Sequence, residues 1–175
     1  MYTLRCTQAL LRRLKLDDRP PQPTTTVLGD WYANRFNVGR HRLLVATNER
    51  TLLTLLTPAK DLAGLPQRLR DELGWLLKAL GVGTVAIAKE LAAMDTVRFD
   101  RTESRSILAS MNQLTFDACA AFDVPGRDVV YLDQVALRLS GTPCKRLGYS
   151  FPAERACALF EVPTPRRRES VLKLI

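Results

Sequence analysis

The chain has 175 residues, 46% of them hydrophobic and 25% charged, with a formal net charge of +8. This fits one soluble globular domain, or one domain with a small appendage, whose core needs no staples. No window approaches the ~18 uninterrupted apolar residues of a membrane span. The opening MYTLRCTQALLRRLK is broken by Arg5, Arg12, Arg13 and Lys15, unlike a secretory signal, so a cytoplasmic protein with no membrane partner is expected.

YTLRC alternates weakly and reads as a first strand. TQALLRRLKL follows as a helix, with Thr7 as its N-cap and Leu10, Leu11 and Leu14 on one face. The prolines and aspartates of DDRPPQPTTT stop it in a loop. VLGDWYANRFNV, HRLLVATN and TLLTLLTP then read as three strands, the last two joined through NER, a short polar connection suited to a hairpin. Together they predict an antiparallel meander.

From Asp61 the period changes. Leu62, Leu65, Leu69, Leu73, Leu76 and Leu80 recur every three or four residues and form one apolar stripe, with Asp61 as a cap, Pro66 in the first turn, and Gly81 and Gly83 at the end. The stripe suits a core-facing helix; a dimer seam has the same pattern. TVAIAKELAAM reads as a second helix capped by Thr84, and DTVRFDRT as a further strand. RTESRSILASMNQLTF opens a helix capped by Thr102 or Ser104. At 100° per residue, Ile107, Leu108, Met111, Leu114, Thr115, Ala118 and Phe122 fall within an arc of roughly 120°, while Arg105 and Asn112, followed by Phe116, lie on its flank. RDVVYLDQVALRLSGTPC is helical up to Gly141, and SFPAERACALFEV is a last short helix with Ser150 as its cap. The order predicts an α+β fold: a small antiparallel sheet, the meander plus one or two further strands, packed against about five to six helices. Residues 1–160 form the domain and 161–175 a basic C-terminal tail.

No catalytic or cofactor signature stands in the chain. It has no GxGxxG and no GxxxxGK[ST]. Cys6, Cys119, Cys144 and Cys157 share no CxxC spacing, and His41 is the only histidine, so neither a metal site nor a cofactor is expected. Cys119 and Cys157 read as buried free thiols; Cys144 reads as structural or incidental, the alternative being a thiol whose pKa the neighbouring Lys145 and Arg146 lower. The positive excess is uneven: LRRLK, then Arg35, Arg40 and Arg42, then the tail. Arg12, Arg13, Lys15, Arg166, Arg167 and Arg168 are therefore candidate contacts to a polyanion.

A second candidate site is a polar cleft of Asp30, Tyr32, Asn34, Asn48, Glu49, Arg50, Arg105 and Asn112. On a strand Asp30, Tyr32 and Asn34 share one face, and Trp31 and Ala33 the other. The start of the RSILASMNQ helix favours anions, with Arg101 and Arg105 flanking it. The bland alternative is an internal salt bridge from Arg105 to Asp30 or Glu49. Asn48 and Glu49 also suit a turn, and a general base would need one of the carboxyls raised in pKa.

The blocks MYTLRCTQ, LGDWYAN, NERTLL, SRSILASMNQ and TPCKRLGY, in this order, resemble an uncharacterised bacterial family known as a domain of unknown function. The resemblance covers about residues 1–160. The family's helix motif usually reads NRSVLGSMND; this chain departs from it with Ser104, Ala109 and Gln113. Any chemistry done by an acid at the last position is lost here. The resemblance implies no reaction, cofactor or partner. Two functional expectations follow from the residues: a non-enzymatic interaction or regulatory module for a protein or nucleic acid, or an enzyme or binding protein for a phosphate-bearing or other anionic small molecule at Asp30, Glu49, Arg105 and Asn112. A homodimer through the Leu62–Leu80 stripe or the Phe116 side is compatible with either.

Overall fold

Successive side chains of each strand point to opposite faces of the sheet, and consecutive apolar residues in β3 and β4 fit a sheet covered on both faces. The computed structural model describes residues 1–14, 20, 22–122 and 131–163. Among them, strands β1 (Tyr2–Cys6), β2 (Trp31–Val38), β3 (His41–Asn48), β4 (Thr54–Pro58) and β5 (Val97–Arg101) form one sheet in the order β4-β3-β2-β1-β5. The helices are α1 (Gln8–Leu11), α2 (Leu65–Ala79), α3 (Thr84–Ala93), α4 (Arg105–Phe122), α5 (Leu132–Ser140) and α6 (Pro152–Leu159). None is long and apolar enough to cross a membrane.

Tyr2, Leu4, Cys6, Trp31, Ala33, Leu44, Ala46 and Leu55 point to one face of the sheet and meet Leu65, Leu69, Leu73, Leu76 and Leu77 of α2, with Ala156 and Cys157 of α6. Tyr32, Leu43, Val45 and Leu56 point to the other face, against Ile107, Met111, Leu114 and Ala118 of α4 and Val135 and Leu139 of α5. The α2 stripe is thus filled by the chain's own core. Phe116 stands outside it, 70% exposed.

The fold is α+β, but the sheet is mixed rather than antiparallel. β2, β3 and β4 are antiparallel neighbours, whereas β1 runs parallel to both β2 and β5. Tight hairpins force antiparallel pairing; a strand that returns after a long connection is free to pair in parallel. Residues 7–30 separate β1 from β2, and β1 lies centrally, with Leu4 paired to both Trp31 and Phe99.

Several predicted ends also move. The first helix keeps only Gln8–Leu11, because the chain leaves it through i to i+3 bonds, Arg13 N to Leu10 O and Leu14 N to Leu11 O. Thr7 holds its N-cap position, but its hydroxyl donates to Asn34 Oδ1 (2.7 Å) rather than to the helix. The strand predicted from Thr51 starts at Thr54, since Leu52 adopts φ 59° in the preceding turn. Asp61 makes no cap and precedes a short 3-10 turn, Leu62–Gly64. Gly83, not Thr84, holds the cap position of α3. Ser104 does cap α4, accepting the Ile107 N–H (3.3 Å). At α6 the cap position is Phe151 rather than Ser150, and the Glu154 carboxylate accepts the Phe151 N–H (3.3 Å). The first part of the helix predicted from Arg127, and the tail, lie outside the described residues apart from its first few positions.

Candidate functional site

The two candidate regions differ in one electrostatic respect: one closes its charges on itself and the other leaves them open. The first is built around Arg5. On β1, Arg5 pairs with Tyr32 of β2 and Asp100 of β5, so its side chain leaves the sheet on the face opposite Leu4 and Cys6. Its Nη2 reaches Asp30 Oδ2 at 3.5 Å, and its Nη1 lies 2.7 Å from Glu103 Oε1, close but not aligned as a hydrogen bond. Asp30 is held in place by the Thr3 N–H, donated to Oδ1 at 2.9 Å. Tyr32 Oη accepts the Ser104 N–H at the start of α4 (3.3 Å).

Burial opposes the Arg5 charge, yet Glu103, Tyr32 and Asp30 together hold its pKa above the ordinary value. Burial raises the Tyr32 hydroxyl, with the Ser104 N–H and Arg5 pulling against it. Burial likewise raises the Glu49 carboxyl, and Asp30 adds to the shift. Asp30, Tyr32 and Glu49 thus lie near Arg5 and one another. The cation at their centre is Arg5, not Arg105, so the internal salt bridge expected from Arg105 is made by Arg5. Arg105 and Asn112 are exposed on α4 and make no hydrogen bond or ion pair among the described residues.

The remaining cleft candidates have local work. Asn48 is fully buried: its amide donates to Leu28 O and Asp30 O, and its Oδ1 accepts from Arg50 N, Thr51 N and Thr51 Oγ1. It organises the β3–β4 turn. Asn34 accepts from Thr7 Oγ1 and from the Arg35 N–H. Arg50 donates to Val27 O (3.2 Å). Gln113, where the family motif has an acid, is exposed and donates to Asp117 (3.0 Å). Burial and Asp117 raise the Cys144 pKa, which goes against the alternative of a thiol activated by Lys145 and Arg146. Cys6 is fully buried and pushed up to about 12 by burial, Cys157 is buried, and Cys119 is half-buried.

The second region is a groove of about 790 Å³ at the far end of the sheet. Its floor is the β2–β3 hairpin, contributing Arg35, Arg40, His41 and Arg42. Arg13, just past α1, and residues 58–62 form its sides, with Lys60 among the latter. Among the described residues Asp61 is its one acid, and that carboxylate lies 3.8 Å from Arg68 Nη1. Arg5, Arg68, Arg70 and Arg98 each have a carboxylate partner. Among the described residues, Arg13, Arg35, Arg40, Arg42 and Lys60 have none. The Nε of Arg35 is buried without a hydrogen-bond partner.

Arg13, a candidate polyanion contact in the sequence, lines this groove, and Arg12 lies beside it, exposed. Lys15, Arg166, Arg167 and Arg168 lie outside the described residues. Lys60 escaped sequence reading because nothing local marks it: it joins the groove only when β4 folds back beside the hairpin. His41 lies in this groove, and among the described residues no Ser or Cys lines the wall beside it.

No curated protein gives a significant match to the chain. A family model described as a domain of unknown function, DUF6933, matches residues 3–155, which include β2 to β5, α1 to α5 and all of β1 but Tyr2. The chain therefore belongs to the DUF6933 family.

Proposed function

We propose that this chain is a non-enzymatic interaction module that binds a nucleic acid through the groove between α1 and residues 58–62. One observation carries the reading: five cations, Arg13, Arg35, Arg40, Arg42 and Lys60, gather in one concavity with no carboxylate bound to any of them among the described residues. Concentrating like charge without partners costs stability, and a polyanion relieves it by releasing its counterions. The Arg5 cluster supports the same reading by contrast, since its carboxylates already occupy its arginine.

Fluorescence anisotropy with a labelled oligonucleotide of about 20 residues tests it, at about 50 and 200 mM salt. Binding is expected at the lower concentration, with affinity falling at least tenfold at the higher one. The double variant Arg40→Glu/Lys60→Glu is expected to abolish binding while keeping its circular dichroism spectrum. Absence of binding to DNA and RNA even at low salt overturns the proposal.

A further inference from the structure

We infer that the groove admits a single-stranded phosphodiester chain and grips its backbone rather than its bases; this rests on the nucleic-acid reading above. The cations stand at two depths. Arg40, Arg42 and Lys60 are exposed, whereas Arg35 is half-buried at the floor of the same concavity. Its Nε is sealed from solvent and donates to nothing. The Nε atoms of Arg5, Arg68, Arg70 and Arg98 are sealed in the same way, but those four arginines have carboxylate partners; Arg35 has none among the described residues and lines the concavity, so its charge is the one left for an incoming anion.

A phosphate oxygen that reaches Arg35 has to enter the groove. At about 790 Å³ the space lies within the range of roughly 300–1,000 Å³ typical of small-ligand pockets, room for a short stretch of one strand and not for a duplex. A duplex can meet only the exposed arginines and Lys60. Among the described residues the lining contains one aromatic ring, His41, and no Phe, Tyr or Trp. Base recognition on single strands relies on stacking platforms, so this wall favours the phosphates common to every sequence.

Competition binding at about 50 mM salt separates the possibilities, using oligo-dT, oligo-dA, their duplex and inorganic tripolyphosphate as probes. The two single strands are expected to bind within about threefold of each other and at least tenfold more tightly than the duplex. Tripolyphosphate is expected to compete only in excess of about a hundredfold, since it spans fewer cations. Arg35→Lys keeps the charge but removes the Nε donor; it is expected to weaken single-strand binding about tenfold while leaving the melting temperature in place. A duplex bound as tightly as the single strands, a preference above tenfold between oligo-dT and oligo-dA, tripolyphosphate competing at parity, or an Arg35→Lys variant with unchanged affinity each overturns the inference. Loss of all binding at this salt overturns instead the nucleic-acid reading beneath it.

Discussion

Glu90 is buried on α3, and its two carboxylate oxygens accept the backbone N–H groups of Val27 (2.7 Å) and Leu28 (3.0 Å). It thereby fixes the approach to β2, where Gly29 turns at φ 84° and Asp30 receives the Thr3 N–H. Replacing Glu90 with Ala leaves two backbone donors without their acceptor, an expected loss of about 2–4 kcal/mol by urea unfolding. Burial raises the Glu90 carboxyl above its ordinary value of 4.5, with the Leu28 and Val27 N–H groups pulling it down only in part. A native value above the unfolded one means that the native state holds the proton more tightly. The group's contribution is therefore full below the ordinary carboxylate value and is lost as pH rises through the native one. Glu90→Gln has no such titration, so the stability gap between wild type and this variant is expected to shrink from about pH 4 to about pH 7.5. A gap constant across that interval would show that the carboxyl is not held above its ordinary value.

At the scale of elements, periodicity was a reliable guide wherever a segment packs by its own pattern. β3 occupies HRLLVATN, His41–Asn48, the run expected to be a strand before the NER turn. The leucines of α2 and the Ile107, Met111 and Leu114 row of α4 both face the sheet. What periodicity does not carry is the identity of a distant neighbour. Nothing in YTLRC announces that β1 lies between β2 and β5 in parallel, because that pairing is settled by how both sheet faces become covered. Arg5 had a signal that was not used: Tyr2, Leu4 and Cys6 mark one face of β1, leaving Thr3 and Arg5 on the other, where a charge inside a strand needs a partner. The partners, Asp30 and Glu103, lie too far along the chain for spacing to connect them. The same packing decides the α2 stripe. Leu73 is fully buried and Trp75 is 39% exposed. Leu73→Ala is expected to cost about 3 kcal/mol, and Trp75→Ala no more than about 1. Because the stripe is satisfied within one chain, the wild-type urea midpoint is expected to stay constant from about 1 to 100 µM protein, where a dimer seam would make it rise.

For the molecule as a whole, the question is whether its net charge of +8 acts as a diffuse field or through one place. Net charge draws any polyanion toward the surface, but diffuse attraction depends little on which cation is removed. Contact inside a groove depends on it strongly, because each neutralised phosphate on a single strand contributes about 0.7 to the slope of log affinity against log salt. Arg40 and Lys60 both line the groove. Lys78 and Lys89 are exposed on α2 and α3 and do not line it. Arg40→Ala/Lys60→Ala and Lys78→Ala/Lys89→Ala each remove two positive charges, so a diffuse field treats the pairs alike. Local contact predicts a salt slope shallower by about 1.4 for the groove pair and no change for the control pair. Anisotropy titrations with one single-stranded probe at several salt concentrations measure both slopes directly. Equal losses in the two variants would assign the attraction to the overall charge and leave the groove without a binding role, whereas loss confined to the groove pair would tie binding to the end of the sheet where the β2–β3 hairpin, Arg13 and Lys60 meet.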